Sequence, residues 1–375
     1  MSSAQRFCPD RLAAVARTLA IGACLVCLCV PARASLIHLG AAGAFNALVL
    51  GDMTGRSSDV EGRLAVAGNL DLRDFGLGLQ LPDSNGSRDD LIIGGDARLF
   101  DARLNHGNAV YGGRRWTDDS FGLYSDDDPA TPNGTLRREK RDAFFQRLRA
   151  DVEGKARAWG GLDPTGEIRV RGDDSSIWEI DFVGTGALNV FAIQADVLGS
   201  PHKAIRFDVP ADSIALVNVS GTEATLSHSG FFHTAYTAGP EKTPNRLPDN
   251  GPPGGFRHDG RFTDGILFNF FEADSLLMEA IGVKGSVLAP FADLSFYDGH
   301  IDGNLIVEDW LWEPAPGPAA YDATRAGIGG RRTGQVNDYA FRGQVPVPAT
   351  LLLVLAALPL LARRGVGSMR AAARA

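Results

Sequence analysis

Several groups of residues have types and spacings that could do chemistry. Gly51-Asp52-Met53-Thr54-Gly55-Arg56-Ser57 has the outline of a phosphate-cradling loop. Its glycines are four apart where that loop has five, and Arg56 stands where the lysine would, so the segment reads as a turn. His228 and His233 are five apart, which suits neither a helical nor a strand pair of metal ligands. Asp126-Asp127-Asp128 could offer oxygens to Ca²⁺, but adjacent side chains diverge and no glycine makes the sharp turn of a calcium loop. Asp298, Asp302, Glu308 and Asp309 read as solvated acids on turns. Arg171-Gly172-Asp173, the tripeptide that integrins read, is taken as chance. There is no Gly-x-Ser-x-Gly elbow. Opposed carboxylates for glycoside hydrolysis stay open, because only their separation in space decides. The expectation is a chain with no catalytic residue, no cofactor and no metal site.

The clearest functional signals are addresses. Arg6, Arg11 and Arg17, the apolar run Leu19–Val30 and Ala32-Arg33-Ala34 read as a secretory leader over residues 1–34, cut between Ala34 and Ser35. At the other end stands Val345-Pro346-Val347-Pro348-Ala349, then an apolar run to Ala362, then Arg363-Arg364. The run is short for a stable span and Pro359 interrupts it, so transient anchoring through 349–362 is expected, with a single-pass anchor as the alternative. All four cysteines lie in the leader, so the mature chain is expected to lack disulfides and cysteine chemistry. Removing the four Arg and one Asp of the leader and the four Arg after Pro348 takes 37 basic and 45 acidic residues to 29 and 44, a net of −15. That balance disfavours nucleic acid and anionic bilayers as partners.

The elements between these ends are mainly strands. Gly285-Ser286-Val287-Leu288-Ala289 returns eighteen residues later as Gly303-Asn304-Leu305-Ile306-Val307. Similar short strands around glycine occur at Asp59–Leu72, Leu91–Leu99 and Gly107–Gly113, with Thr54–Ser58 as a polar turn. A strand, a glycine turn and a strand at a fixed period predicts an all-β fold, a right-handed β-solenoid (β-helix) whose first and last coils can share one core. One long α-helix is predicted at about 136–159, packed alongside. Its Phe145, Leu148, Val152, Ala156 and Trp159 are spaced 3, 4, 4 and 3, which aligns them on one face. Further strands are expected at Glu167–Val170, Ile177–Val183, Ala187–Gln194, Ala204–Val209, Ile214–Val219 and Ile266–Phe271. Asn189, Asn218 and Asn269 lie within apolar strands and could form a hydrogen-bonded ladder or face solvent. The domain boundaries expected are 1–34 leader, 35–312 solenoid, 313–344 linker and closing segment, 345–364 sorting signal and 365–375 tail. Gly285–Trp312 is expected to be the last full coils, with Trp310 and Trp312 closing the apolar end.

Residues 345–364 resemble a PEP-CTERM sorting signal of the VPLPA type, with Val347 in place of the usual Glu. That resemblance implies an exosortase-type protease as a processing partner in a Gram-negative cell, beside the signal peptidase that the leader calls for. Phe45–Gly51, Ser57–Asn69, Val217–Gly221, Leu267–Phe270, Gly285–Gly303 and Gly334–Asn337 with Phe341 resemble the choice-of-anchor A family, some of whose members are labelled collagen-binding. The resemblance spans roughly residues 41–345 and brings no catalytic residues. More loosely, coils with a helix alongside look like bacterial ice-binding solenoids.

The expected function is an exported, non-catalytic surface or matrix protein, adhesive or structural, that engages exopolysaccharide or a matrix protein. The alternative is a secreted carbohydrate-active enzyme on the same scaffold. Ice binding ranks last, because regularly repeated Thr-x-Thr would be its strand signature and none occurs.

Overall fold

The computed structural model describes residues 37–124, 132–173, 176–237, 243–250, 257–312 and 331–343. The leader with Ala32, Ala34 and Ser35, the triplet Asp126–Asp128, and the sorting segment with Val345–Ala349, Arg363 and Arg364 lie outside these residues. After a short 3₁₀ turn (Gly40–Ala44) a first run of strands follows. These are β1 (Ala47–Val49), β2 (Met53–Val60), β3 (Leu64–Val66), β4 (Leu70–Leu77), β5 (Asp89–Ile93), β6 (Ala97–Leu104), β7 (Asn108–Tyr111), β8 (Arg115–Thr117), β9 (Gly122–Leu123) and β10 (Leu136–Arg138). Helix α1 (Asp142–Gly160) comes next. The second run begins with β11 (Glu167–Gly172), β12 (Ile177–Val183), β13 (Leu188–Gln194), the short α2 (Ala195–Gly199), β14 (Ala204–Asp208), β15 (Ile214–Ser220), β16 (Glu223–Ser227) and β17 (Gly230–His233). It closes with β18 (Ile266–Phe270), β19 (Ser275–Glu279), β20 (Gly282–Lys284), β21 (Ser286–Ala289), β22 (Asp293–Tyr297), β23 (His300–Asp302), β24 (Leu305–Val307) and β25 (Gln335–Asn337).

Successive strands alternate between sheets. The ten-stranded sheet has the order β10-β7-β5-β3-β1-β24-β21-β18-β15-β13. The first run therefore proceeds outward from β1 to one edge, and the second starts at the opposite edge and returns to lie beside β1. Ala47, Leu48 and Val49 pair with Leu305, Ile306 and Val307, so the early and late strands share one core, as expected. The remaining strands form an eight-stranded sheet with the path β20-β23-β25-β2-β4-β6-β8 and β9 on β6, a three-stranded sheet β16-β19-β22, and a four-stranded sheet β11-β12-β14-β17. The ladders are parallel except for the β11–β12 hairpin. Among the described residues no sheet closes on itself.

The repeated apolar triplet has a physical reading. In a strand, successive side chains point to opposite faces. The central strands of the ten-stranded sheet are covered on both faces, so they are mostly apolar. The outer residues of each triplet, such as Ala47 and Val49 or Leu305 and Val307, face the core between the sheets. The middle residues Leu48, Ala65, Ile92, Leu288 and Ile306 face the other way and pack under α1. There they meet Phe145, Leu148, Val152, Ala156 and Trp159, the stripe predicted from spacing. Fully burying one such leucine contributes roughly 1.5–3 kcal/mol.

Four expectations change. The helix starts at Asp142, not near 136, because Leu136–Arg138 instead extends the ten-stranded sheet by pairing with β7. Thr54–Ser58 is not a polar turn but the middle of β2, with Ser57 at φ 50 as a local corner. Asn218 and Asn269 do bond to each other, Asn269 Nδ2 donating to Asn218 Oδ1 at 2.8 Å. Their amides also donate to the Trp159 and Ala156 carbonyls at 2.7 and 3.0 Å, which ties the last turn of α1 to β15 and β18. Asn189 takes no part; its amide is spent on Gly186. Finally, Gly285–Trp312 is central and not terminal. Gly285 (φ 133) precedes β21, the parallel neighbour of β24. Trp310 is fully buried and bridges Met53 and Leu294, stitching the second run to the first. The closing segment is part of the fabric, since β25 pairs with β23 and meets β2 at Val60.

Candidate functional site

The outer face of β2, β4, β6 and β8 carries the most distinctive exposed chemistry. Parallel register aligns Thr54, Asp71, Arg98 and Trp116 in one row, and Arg56, Arg73 and Phe100 in the next. Their inward neighbours Leu70, Leu72, Ala97 and Leu99 are buried, so alternation forces these side chains outward. The Arg73 guanidinium lies 5.0 Å from the Phe100 ring centroid, and Arg98 and Arg114 lie 5.1 and 5.0 Å from Trp116. Asp71 is the one acid in these two rows; it bonds Arg56 at 3.0 Å and Arg98 more loosely at 3.9 Å. Trp116 is 36% exposed. An apolar ring beside a planar cation can stack on a sugar face and bind its anionic substituents.

The second feature is a buried polar cluster on the opposite arm. Lys284 and Asp302 are register partners on β20 and β23, and their charges meet at 2.7 Å with almost no exposure. Lys284 also bonds Asp249 at 2.7 Å and His300 Nε2 at 2.9 Å. His258 Nε2 reaches Asp302 Oδ2 at 2.8 Å, and Asn337 donates to its Oδ1 at 2.6 Å. Burial alone would raise the Asp302 carboxyl. The hydrogen bond with His258 and the Lys284 ammonium outweigh it and hold the group well below the usual carboxylate range. Asp249 is held low in the same way by His300 and Lys284. The His258 ring stacks on Tyr339 at 4.2 Å, whose hydroxyl burial pushes up to about 12. Two carboxylates around one ammonium make a structural ion cluster.

Two clefts accompany these features. One, of about 510 Å³, lies between β17 and β20 and is bordered by Lys203, Ser229, Phe232, Arg246, Asp249 and Lys284. The other, of about 530 Å³, lies beside the start of α1 and includes Arg63, Arg88, Arg137 and Arg141. There Arg137 and Arg141 bond Asp89 at 2.7 and 2.9 Å, and Arg88 bonds Asp90 at 2.5 Å. The cations of this second cleft are largely neutralised by the protein itself.

The candidates from sequence land in specific places. The loop resembling a phosphate cradle is a corner of stacked strands. Asp309 accepts the Asp52 N–H at 2.5 Å, Asp52 that of Asn69 at 2.6 Å, Asn69 that of Asp96 at 2.9 Å, and Asp96 that of Arg114 at 2.7 Å. Gly68 sits in that corner, where a Cβ would meet the Gly51 carbonyl at 2.7 Å. Glu308 clamps Arg149 of α1 at 2.5 and 2.8 Å. The acids read as solvated turn residues thus divide: Asp298 lies on a turn at φ 48, whereas Asp302, Glu308 and Asp309 are structural. Arg171 pairs with Glu179 and Asp181. Among the described residues no cluster of three or more His, Cys, Asp or Glu could hold a metal ion, and no helix is long and apolar enough to cross a membrane. His258, His300 and Lys284 gave no local signal, because their charged partners are up to 51 residues away, as Asp249 is from His300.

Comparison with known proteins adds the following. A family model described as "Putative Ice-binding-like adhesive domain" matches residues 38–315. A search of curated proteins finds no match. Among solved structures, an ice-binding protein from the Antarctic ascomycete Antarctomyces psychrotrophicus is similar at 11% identity and a TM-score of 0.32, covering 80% of this chain and 98% of that one. An ice binding protein from an Antarctic biological consortium is similar at 11% identity and a TM-score of 0.28, covering 74% and 87%.

Proposed function

The chain belongs to the ice-binding-like adhesive domain family, and from that premise we propose that it is a non-catalytic adhesion module that binds acidic polysaccharide at the cell surface or in the extracellular matrix. The observation that carries this reading is the arginine–aromatic face of β2, β4, β6 and β8, with Arg73 on Phe100 and Arg98 and Arg114 on Trp116. We read the stacked strands as a right-handed solenoid. Such a frame is rigid because each coil is buried by the next, and it holds the face without loss of conformational entropy on binding.

Co-sedimentation of the purified protein with polyuronate and with neutral glucan tests the proposal. Polyuronate is expected to bind and neutral glucan to bind weakly. Replacing both Phe100 and Trp116 with Ala is expected to weaken polyuronate binding about tenfold, a change of about 1.4 kcal/mol. Equal binding of both polymers, or no effect of the double variant, overturns it. Turnover of any polysaccharide in a hydrolysis screen overturns the non-catalytic reading in favour of a carbohydrate-active enzyme.

Ice binding is the second reading, favoured by the family description. Against it, the outward rows of β16, β19 and β22 are Glu223-Ser275-Asp293, Thr225-Leu277-Ser295 and Ser227-Glu279-Tyr297. They mix charges and apolar groups where a water-ordering face would repeat one hydroxyl. Inhibition of ice recrystallisation by the protein, retained without Phe100 and Trp116, would favour ice over polysaccharide.

Export is part of the same proposal. The leader and the tail resembling a PEP-CTERM signal support cleavage before Ser35 by signal peptidase and near Pro348 by an exosortase-type protease of a Gram-negative cell. The choice-of-anchor A resemblance fits a domain displayed this way. Mass spectrometry of the mature protein is expected to find both ends there; a chain retained through Ala375 would make the tail a plain anchor.

A further inference from the structure

We propose that the cleft between β17 and β20 is a second, separate binding site, for one carboxylated saccharide unit whose carboxylate seats between Lys203 and Arg246. The cleft exists because a ladder stops. β14 pairs with β17 and β20 pairs with β23 in parallel, but β17 and β20 belong to different sheets. The segment Thr243–Asn250 crosses at this break, with Phe232 and Arg246 in an antiparallel bridge and the Leu247 N–H on the Phe231 carbonyl at 2.9 Å.

Charge is unbalanced there. Lys203 is only 4% exposed. Its ammonium donates to the Ser200 carbonyl and stands 3.5 Å from the Ser229 hydroxyl. No carboxylate among the described residues lies within ion-pair distance of it. Arg246 has only a loose partner in Asp249 at 3.7 Å, whereas Lys284 is already balanced by Asp249 and Asp302 at 2.7 Å each and has no donor to spare. A buried charge without a counter-charge is costly to keep, and burial pushes the Lys203 ammonium down to about 8. An external carboxylate would supply the missing charge. The surplus is local, because the mature chain as a whole is expected to be strongly acidic.

The cleft's dimensions and walls narrow the ligand. About 510 Å³ exceeds what a bare oxyanion fills and falls in the range of small-molecule sites. Phe232 supplies an apolar wall, with Arg206 over its ring at 5.3 Å, and Ser229 and Thr243 supply hydroxyls. An acidic sugar ring matches a cationic end, an aromatic wall and flanking hydroxyls. This inference shares its ligand class with the polysaccharide proposal but uses different residues, so the two can fail separately.

Calorimetric titration of the full chain with glucuronate and galacturonate oligosaccharides, glucose oligomers and inorganic phosphate tests it. Uronates are expected to bind at least tenfold more tightly than the neutral oligomers or phosphate. Lys203→Met is expected to weaken uronate binding tenfold or more while raising the melting temperature of the free protein, because it removes a buried unpaired charge. Arg246→Gln should weaken binding similarly and serves if Lys203→Met misfolds. The Phe100 and Trp116 double variant should keep cleft binding while weakening polymer co-sedimentation about tenfold. Equal affinity for glucose and uronate, absence of uronate binding, or unchanged affinity in both cleft variants overturns the proposal. Phosphate binding as tight as uronate makes the cleft a general anion site and overturns the saccharide assignment.

Discussion

Two arms of the molecule follow similar backbone paths and carry different chemistry. In the first, β2, β4 and β6 run in unbroken register. They turn at one aligned corner, where Ser57, Asp74 and Asp101 take φ of 50, 51 and 47. Val60, Leu77 and Leu104 fill the interior, and the charges stay outside. In the second, β14, β17, β20 and β23 turn at corners that include His228, Ala280 and Asp298, at φ of 46, 48 and 48. There the ladder breaks between β17 and β20, and Lys284 and Asp302 are inside. The difference teaches that regular stacking makes a flat outward face, whereas one interruption makes a cleft and draws charge into the interior. The proposed polysaccharide face and the proposed saccharide cleft would thus follow from order in one arm and from a break in the other.

The comparison can be broken most severely at the junction of the arms. Deleting Gly285–Asp302 removes β21 and β23 from the middle of two sheets and β22 from the end of a third. The cooperative calorimetric transition is expected to disappear; a soluble deletion variant with native-like melting would show that the junction is peripheral. Next in size, the same kind of substitution should differ between arms. Lys284→Met leaves Asp302 buried without its ammonium and is expected to cost about 3–5 kcal/mol. Arg56→Met loses a less buried pair with Asp71 and two hydrogen bonds to the Gly55 and Asp71 carbonyls, and is expected to cost less, about 1–2 kcal/mol. Urea unfolding measures both, and equal costs would erase the distinction. Adding Asp302→Leu to Lys284→Met should recover most of the loss.

A pH titration sharpens the same contrast. Burial, with Arg342 adding to it and Asp208 opposing, pushes His233 of β17 down to about 4. The unfolded imidazole therefore takes up its proton first. Stability from this group is complete above about pH 6.5 and lost as pH falls towards 4, by up to roughly 3 kcal/mol. His233→Gln should flatten melting temperature across that window; an unchanged slope would assign the acid sensitivity elsewhere. The smallest effect concerns Ala280. The other corner residues named above have polar side chains, which tolerate left-handed backbone better. Ala280→Gly is expected to stabilise by about 0.5 kcal/mol, since relief of roughly 1–2 kcal/mol of strain is offset by glycine's entropy. A lower melting temperature would mean that the Ala280 methyl contributes packing.

Much of the framework was legible because its signals are local. The triplet Val287-Leu288-Ala289 and its copy at Leu305-Ile306-Val307 are true parallel neighbours, and the five-residue stripe of α1 is the buried one. The start of α1 was misjudged because Leu136–Arg138 has a strand partner 27 residues earlier in β7. Trp310 was placed at an end because its contact with Met53 leaves no trace in nearby sequence. The arginine–aromatic face was missed for the same reason: Arg98 and Trp116 become neighbours only through register.

By itself the sequence determined the strand periodicity, the apolar helix stripe, the repeated triplet and the acidic balance, all of which arise from side chains within a few residues of one another. Only the tertiary structure decided that Gly285–Trp312 lies at the centre of the ten-stranded sheet, that Asp302 is buried against Lys284 and His258, and that a cleft opens beside Lys203. Parallel pairing joins residues separated by up to 276 positions, as in Val60 with Val336. A short-range pattern cannot specify which coil meets which, because every apolar triplet offers nearly the same face to every other.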